Sequence, residues 1–144
     1  MKTEIERQIL PDGGHISRSP ESLLDAFVVL SWVQGTLEAA NRGTQASVRN
    51  ALDRMAPMLR FFCLGDGALA AFNGGNESDP RLLASLLAAD EAQGKPFGHA
   101  PYSGYQRLVA GKALLVQDVG VPPPEGFSAG AHASCRVVGF SVGA

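Results

Sequence analysis

The side chains in this chain best suited to proton transfer are few and stand in unusual surroundings. His15 follows the turn segment Pro11-Asp12-Gly13-Gly14 and precedes Ser19-Pro20-Glu21. Asp-Gly reverses a chain because glycine accepts positive φ without a Cβ clash, so His15 leaves a tight bend. In Ser19-Pro20-Glu21 the Ser19 hydroxyl can accept an orphan backbone N–H, Pro20 presets the first helical φ, and Glu21 suits the positive end of the dipole. His15 therefore stands just ahead of a helix. His132 lies in Ala131-His132-Ala133-Ser134-Cys135, after Ser128-Ala129-Gly130, where small residues let a ligand approach the backbone. His99, between Gly98 and Ala100, reads as a loop residue. Tyr102 and Tyr105 offer a phenol or a stacking surface, although aromatic residues in strands mainly pack.

Other site chemistries find little support. The histidines lack His-x-His or His-x₃-His spacing, so no metal site is expected. Cys63 and Cys135 have neither CxxC nor metal-type spacing and read as two buried thiols. Gly65-Asp66-Gly67 and Gly74-Gly75 are turns, because neither opens a helix as a phosphate cradle does. Asp118, before Val119-Gly120, reads as a residue that ends a strand through its own turn.

The elements that must position these residues follow from pattern. At 144 residues, 45% of them hydrophobic, the chain is about one domain long and can build a core. Charged residues make up 18%, the formal net charge is −2, and no Lys/Arg run recommends a nucleic-acid partner. No apolar run is long enough to insert in a membrane, and the first residues lack the apolar stretch of a secretory signal. Leu23, Leu24, Phe27, Val28, Leu30 and Val33 predict a helix from Glu21 to about Ala40, stopping near Asn41-Arg42-Gly43. Thr44 or Ser47 caps a second helix through Val48, Leu52, Met55 and Leu59, with Pro57 breaking or bending its final turn. These two are expected to pair antiparallel. Phe61 to Leu64 and Ala68 to Phe72 read as two short strands around Gly65-Asp66-Gly67. Asp79-Pro80 opens a third helix that ends by Gly94. Tyr102 to Val109 and Ala113 to Val116 form a hairpin at Ala110-Gly111-Lys112, Arg136 to Val142 is a further strand, and Val121-Pro122-Pro123-Pro124 is a loop. Helices first and strands after give an α+β fold.

Taken in order, Asp12-Gly13-Gly14-His15 to Ser19-Pro20, Gly65-Asp66-Gly67-Ala68-Leu69-Ala70, Ser103-Gly104-Tyr105-Gln106-Arg107-Leu108, Asp118-Val119-Gly120 and Ala131-His132-Ala133-Ser134 resemble the heparinase II/III-like polysaccharide lyases. The resemblance implies that residues 1–60 are the helical end of an α/α-toroid and residues 61–144 the β-rich start of a β-sandwich, with one inserted helix. The chain would then be a fragment of a longer protein. Its partners would be the remaining toroid and sandwich segments, a second copy, and an acidic polysaccharide substrate. The family's location implies the periplasm or cell envelope of a bacterium, and no cofactor is called for.

Such enzymes cleave uronate-containing glycans by β-elimination: a base takes the C5 proton, a neutral or positive group offsets charge growing on the carboxylate, and an acid protonates the leaving oxygen at C4. Stabilising that charge contributes most to the rate, with proton transfer adding about 10²–10⁴-fold. The resemblance implies His132, His15 and Tyr105 as catalytic residues, His132 as charge neutraliser or base, and Arg107 and Tyr102 as substrate-binding residues. One departure stands out. Where the family places its Tyr and His after Ser-Pro, this chain has Ser22 and Leu23, and a hydroxyl is far weaker as an acid than a phenol of pKa about 10. The alternative expectation is a non-catalytic glycan-binding or structural relative, or a truncated product.

Overall fold

The computed structural model describes residues 2–76, 78–88, 95–129 and 137–142. Within them the chain runs α1 (Lys2–Gln8), α2 (Pro20–Ala39), α3 (Ala46–Phe62), α4 (Pro80–Ala88), β1 (His99–Ala100), β2 (Tyr105–Ala110), β3 (Ala113–Asp118) and β4 (Val138–Val142). The strands form one antiparallel sheet in the order β1-β2-β3-β4. The α+β expectation therefore holds.

Helix α2 starts as its residues require: Ser19 is the N-cap, its hydroxyl accepts from the Ser22 N–H at 3.4 Å, and Pro20 opens the first turn. It stops at Asn41 and Gly43, both at positive φ. Helix α3 departs from expectation twice. Its N-cap is Gln45, without a side-chain capping bond, while the Thr44 hydroxyl instead donates to Glu38. Pro57 lies inside α3, which continues to Phe62. A proline there removes one ladder bond, but Met58, Leu59, Phe61 and Phe62 beyond it are all buried, and that burial outweighs the lost bond.

The expected hairpin from Phe61 to Phe72 is also corrected. Phe61 and Phe62 are helical, and only a single Cys63–Leu69 bridge spans the Gly65-Asp66-Gly67 turn. Apolar runs this short fit helix or strand equally well by periodicity. His99, expected in a loop, pairs with Gln106 in the two-residue strand β1. Helix α1 carried too few residues to be anticipated.

One apolar cluster joins the helices to the sheet, so segments 1–60 and 61–144 share a core. At its centre the Tyr105 ring meets Phe62 edge-on at 4.9 Å and Phe72 at 5.0 Å between centroids. The inner face of β3 presents Leu114, Val116 and Asp118, all buried. The outer face carries the row Leu108, Leu115 and Phe140, with Leu108 and Phe140 exposed.

Candidate functional site

The loop from Pro11 to Ser19 is folded tightly by its own residues. Leu10 N–H donates to the Gly14 carbonyl and Ile16 N–H to that of Gln8, so the chain reverses as the Asp-Gly-Gly sequence demands. Gly13 sits at φ +89° against the Arg54 carbonyl of α3, and a Cβ on Gly14 would overlap the Ser103 hydroxyl. Both glycines are thus required by close approach. The loop has two faces, and each gathers a different set of side chains.

The first face is a buried polar clasp onto the sheet. Asp12 accepts from the Tyr102 N–H at 2.9 Å, from the Ser103 N–H at 2.7 Å and from the Ser103 hydroxyl at 2.7 Å. Arg18, held at φ +59°, sends its guanidinium into the sheet, where it pairs with Asp118 and donates to the carbonyls of Ser103, Gly104 and Val121. Its Cζ lies 5.1 Å from the Tyr105 ring centre. The Tyr105 hydroxyl donates to the Arg18 carbonyl at 2.6 Å and accepts from the Asn73 amide at 2.8 Å. Burial, and then the Asp118 charge, push that phenol well above its usual range. Every member of the clasp has its bonds satisfied within the protein, as a buried network requires.

The second face looks into a groove of about 430 Å³ between α1 and the first half of α2. His15 stands at its inner end, largely buried. Its Nδ1 is 2.7 Å from the Ser17 hydroxyl and accepts from the Ser17 N–H, which leaves Nε2 as the N–H that donates to the Gln8 side-chain oxygen at 3.2 Å. Burial lowers the imidazole pKa, consistent with that neutral tautomer. Ser22 lines the same groove, followed on α2 by Asp25, Ala26 and Val29. Asp25 makes no hydrogen bond or ion pair among the described residues.

The residues expected to act together are dispersed. Tyr105 belongs to the clasp and His15 to the groove, and their side chains share no partner. Tyr102 gives its backbone N–H to Asp12 while its ring is 64% exposed. Arg107 donates to the Phe61 carbonyl at 3.1 Å, and partial burial lowers its pKa. His132 and Cys135 lie outside the described residues. Cys63 donates to the Leu59 carbonyl, and burial pushes its thiol up to about 11. No group of three potential metal ligands occurs among the described residues.

Asp12, Arg18, Ser103 and Asp118 all fall within the segments that carry the family resemblance, but nothing in the sequence pairs them with one another; Asn73 lies outside those segments, and Asp118 was expected only to end a strand. One signal was available for Asp118: it follows Leu114 and Val116 at period two, and a carboxylate on an otherwise apolar strand face needs a buried partner.

Among the described residues no helix is long and apolar enough to cross a membrane. No solved structure matches the chain. FtsZ-localized protein C of Caulobacter vibrioides (strain NA1000 / CB15N) is 37% identical over 120 residues, covering 83% of this chain. The match takes in 21% of that relative, so the chain spans about a fifth of its length. Residues 92–144, which carry β1 to β4, match the model of the heparinase II/III-like C-terminal domain. By that match, residues 92–144 are similar to the C-terminal domain of the heparinase II/III-like family.

Proposed function

We propose that this chain is the helix-to-sheet joint of a longer heparinase II/III-like protein that works with the FtsZ division machinery and acts by binding, without β-elimination. In this reading α2 to α4 close a toroid and the sheet opens a sandwich. The apolar outer row Leu108, Leu115 and Phe140 supports that, since such a face suits a second layer. The FtsZ association comes from the name of the Caulobacter relative.

The observation that carries the non-catalytic reading is Ser22. It lines the groove beside His15 at the position where the family resemblance places an acidic phenol. Tyr105 makes a poor substitute, because its hydroxyl is buried, bonded at both ends and pushed away from easy ionisation. His15 is a poor base for the same kind of reason, with both ring nitrogens engaged. The groove also brings Glu4 and Asp25 and no Lys or Arg to its lining, which suits a uronate badly.

The exposed ring of Tyr102 favours a second reading, in which an acidic glycan binds on the sheet side, with Arg107 of β2 among its binding residues and His132 as its catalytic group. The two separate cleanly. Full-length protein is incubated with a panel of uronate polysaccharides while the ultraviolet absorbance of the unsaturated product is followed, and a fluorescent fusion is viewed together with FtsZ. No absorbance change with co-localisation is the expected result. A rise that His132→Ala abolishes would overturn it in favour of elimination.

A further inference from the structure

We infer that Asn73-Gly74 is a latent modification site, where the chain loses ammonia to form a succinimide once the clasp releases it. Of the four asparagines, Asn41, Asn50 and Asn76 are followed by Arg, Ala and Glu, and Asn73 by glycine, whose nitrogen can be approached without a Cβ in the way. The pair forms the corner of a turn with positive φ at both central residues, the type I′ pattern: Asn73 has φ +50° and Gly74 φ +80°, and the Gly75 N–H donates to the Phe72 carbonyl at 3.1 Å. The Gly74 N–H makes no hydrogen bond among the described residues, so the attacking atom is unengaged. The attacked group is held. Asn73 Nδ2 donates to the Arg18 carbonyl at 3.0 Å and to the Tyr105 hydroxyl at 2.8 Å, and the turn is pinned beside them by the Asn76 N–H on Glu21 at 3.1 Å.

The step closes without any change of oxidation state. The Gly74 nitrogen bonds to Asn73 Cγ, its proton passes through water to Nδ2, the Cγ–Nδ2 bond breaks, and ammonia departs from a five-membered ring. Water then opens that ring at either carbonyl, giving aspartate or isoaspartate. Expulsion of ammonia needs Nδ2 to leave both acceptors and to meet a proton carried by water, and the closed clasp withholds both. Conversion is also one-way in its effect on the fold. A carboxylate oxygen in place of Nδ2 sets an acceptor against the Arg18 carbonyl, and isoaspartate adds a methylene to the main chain of the turn. An opening that lasts long enough for the ring to form therefore cannot be repaired by reclosing.

Full-length protein is held at mildly alkaline pH, folded and in urea, and conversion at each asparagine is followed by peptide mass spectrometry with the isoaspartyl product separated. In urea Asn73 should convert ahead of Asn41, Asn50 and Asn76, and Gly74→Ala should remove that lead. In the folded protein Asn73 should convert more slowly than in urea by about tenfold or more, since it reacts only through local opening. Tyr105→Phe takes away one of the two acceptors and should speed folded-state conversion about fivefold, the scale of one net hydrogen bond. Val48→Ala truncates the core about 20 Å along α3 from Phe62, the residue that meets Tyr105, and should leave the Asn73 rate unchanged. Far-ultraviolet circular dichroism checks that both variants fold. Equal rates folded and in urea, a lead that survives Gly74→Ala, or equal acceleration by Val48→Ala and Tyr105→Phe would each overturn the assignment.

Discussion

Arg18 and His15 stand three residues apart on one loop and lead opposite lives. Arg18 points into the sheet, where Asp118 and three carbonyls consume its donors and exclude water. His15 turns the other way, to the end of a groove whose neighbouring Asp25, Val29 and Trp32 remain open to solvent. The difference teaches that one short loop can serve two ends, sealing a buried ion pair on one side and walling an open groove on the other. The Asp-Gly-Gly turn, Arg18 and Tyr105 are joined by buried bonds, and Ser22 lines the groove beside His15.

Breaking the clasp should cost most. Arg18→Ala leaves the Asp118 carboxylate buried without its cation, and the expected loss is about 3–5 kcal/mol, read as a lowered urea midpoint. Replacing both partners together by apolar residues should recover part of that, since no charge is then stranded. Tyr105→Phe removes one hydroxyl and leaves the Arg18 carbonyl and Asn73 amide still bonded to each other. Its expected loss is smaller, about 1–2 kcal/mol by the same measurement.

His15 sharpens the contrast through pH. Its folded-state pKa lies below the ordinary value near 6.5, so the unfolded chain binds the proton more readily. The stability from a neutral His15 is present in full above that ordinary value and is lost as pH falls through it toward the folded pKa. Urea midpoints measured across this window should decline for the natural chain and decline less for His15→Gln. Asp25→Asn should have the smallest effect of all, leaving the midpoint unchanged because the carboxylate makes no hydrogen bond or ion pair among the described residues. A clear loss of stability there would mean that the groove edge is built into the scaffold.

Local signals predicted much of this fold. Ser19-Pro20 marked the start of α2, Asn41 and Gly43 its end, Asp79-Pro80 the start of α4, and Ala110-Gly111-Lys112 the β2–β3 turn, each through a preference that a few neighbouring residues decide. Failures came where distant packing decided instead. Pro57 remains helical because buried aromatics follow it, Phe61 and Phe62 belong to a helix because their rings meet Phe97 and Tyr105, and β1 exists only by pairing with β2. The candidate site divides in the same way. The bend before His15 was legible in Asp12-Gly13-Gly14, whereas the pairing of Arg18 with Asp118 joins residues 100 positions apart, and no local pattern announces it.

That separation has a consequence for how the molecule assembles. Helices and the β2–β3 hairpin are local, but Arg18 can meet Asp118 only after nearly the whole chain between them has been gathered in, with the loop-closure entropy already spent. Where such a contact forms only after the folding transition state, it governs how slowly the native form lets go more than how quickly it arrives, and a faster unfolding rate for Arg18→Ala at unchanged folding rate is the expected sign of it. The clasp is therefore a source of kinetic persistence, with a lifetime set by the rarity of water reaching a guanidinium sealed beneath Gly104 and Gly120.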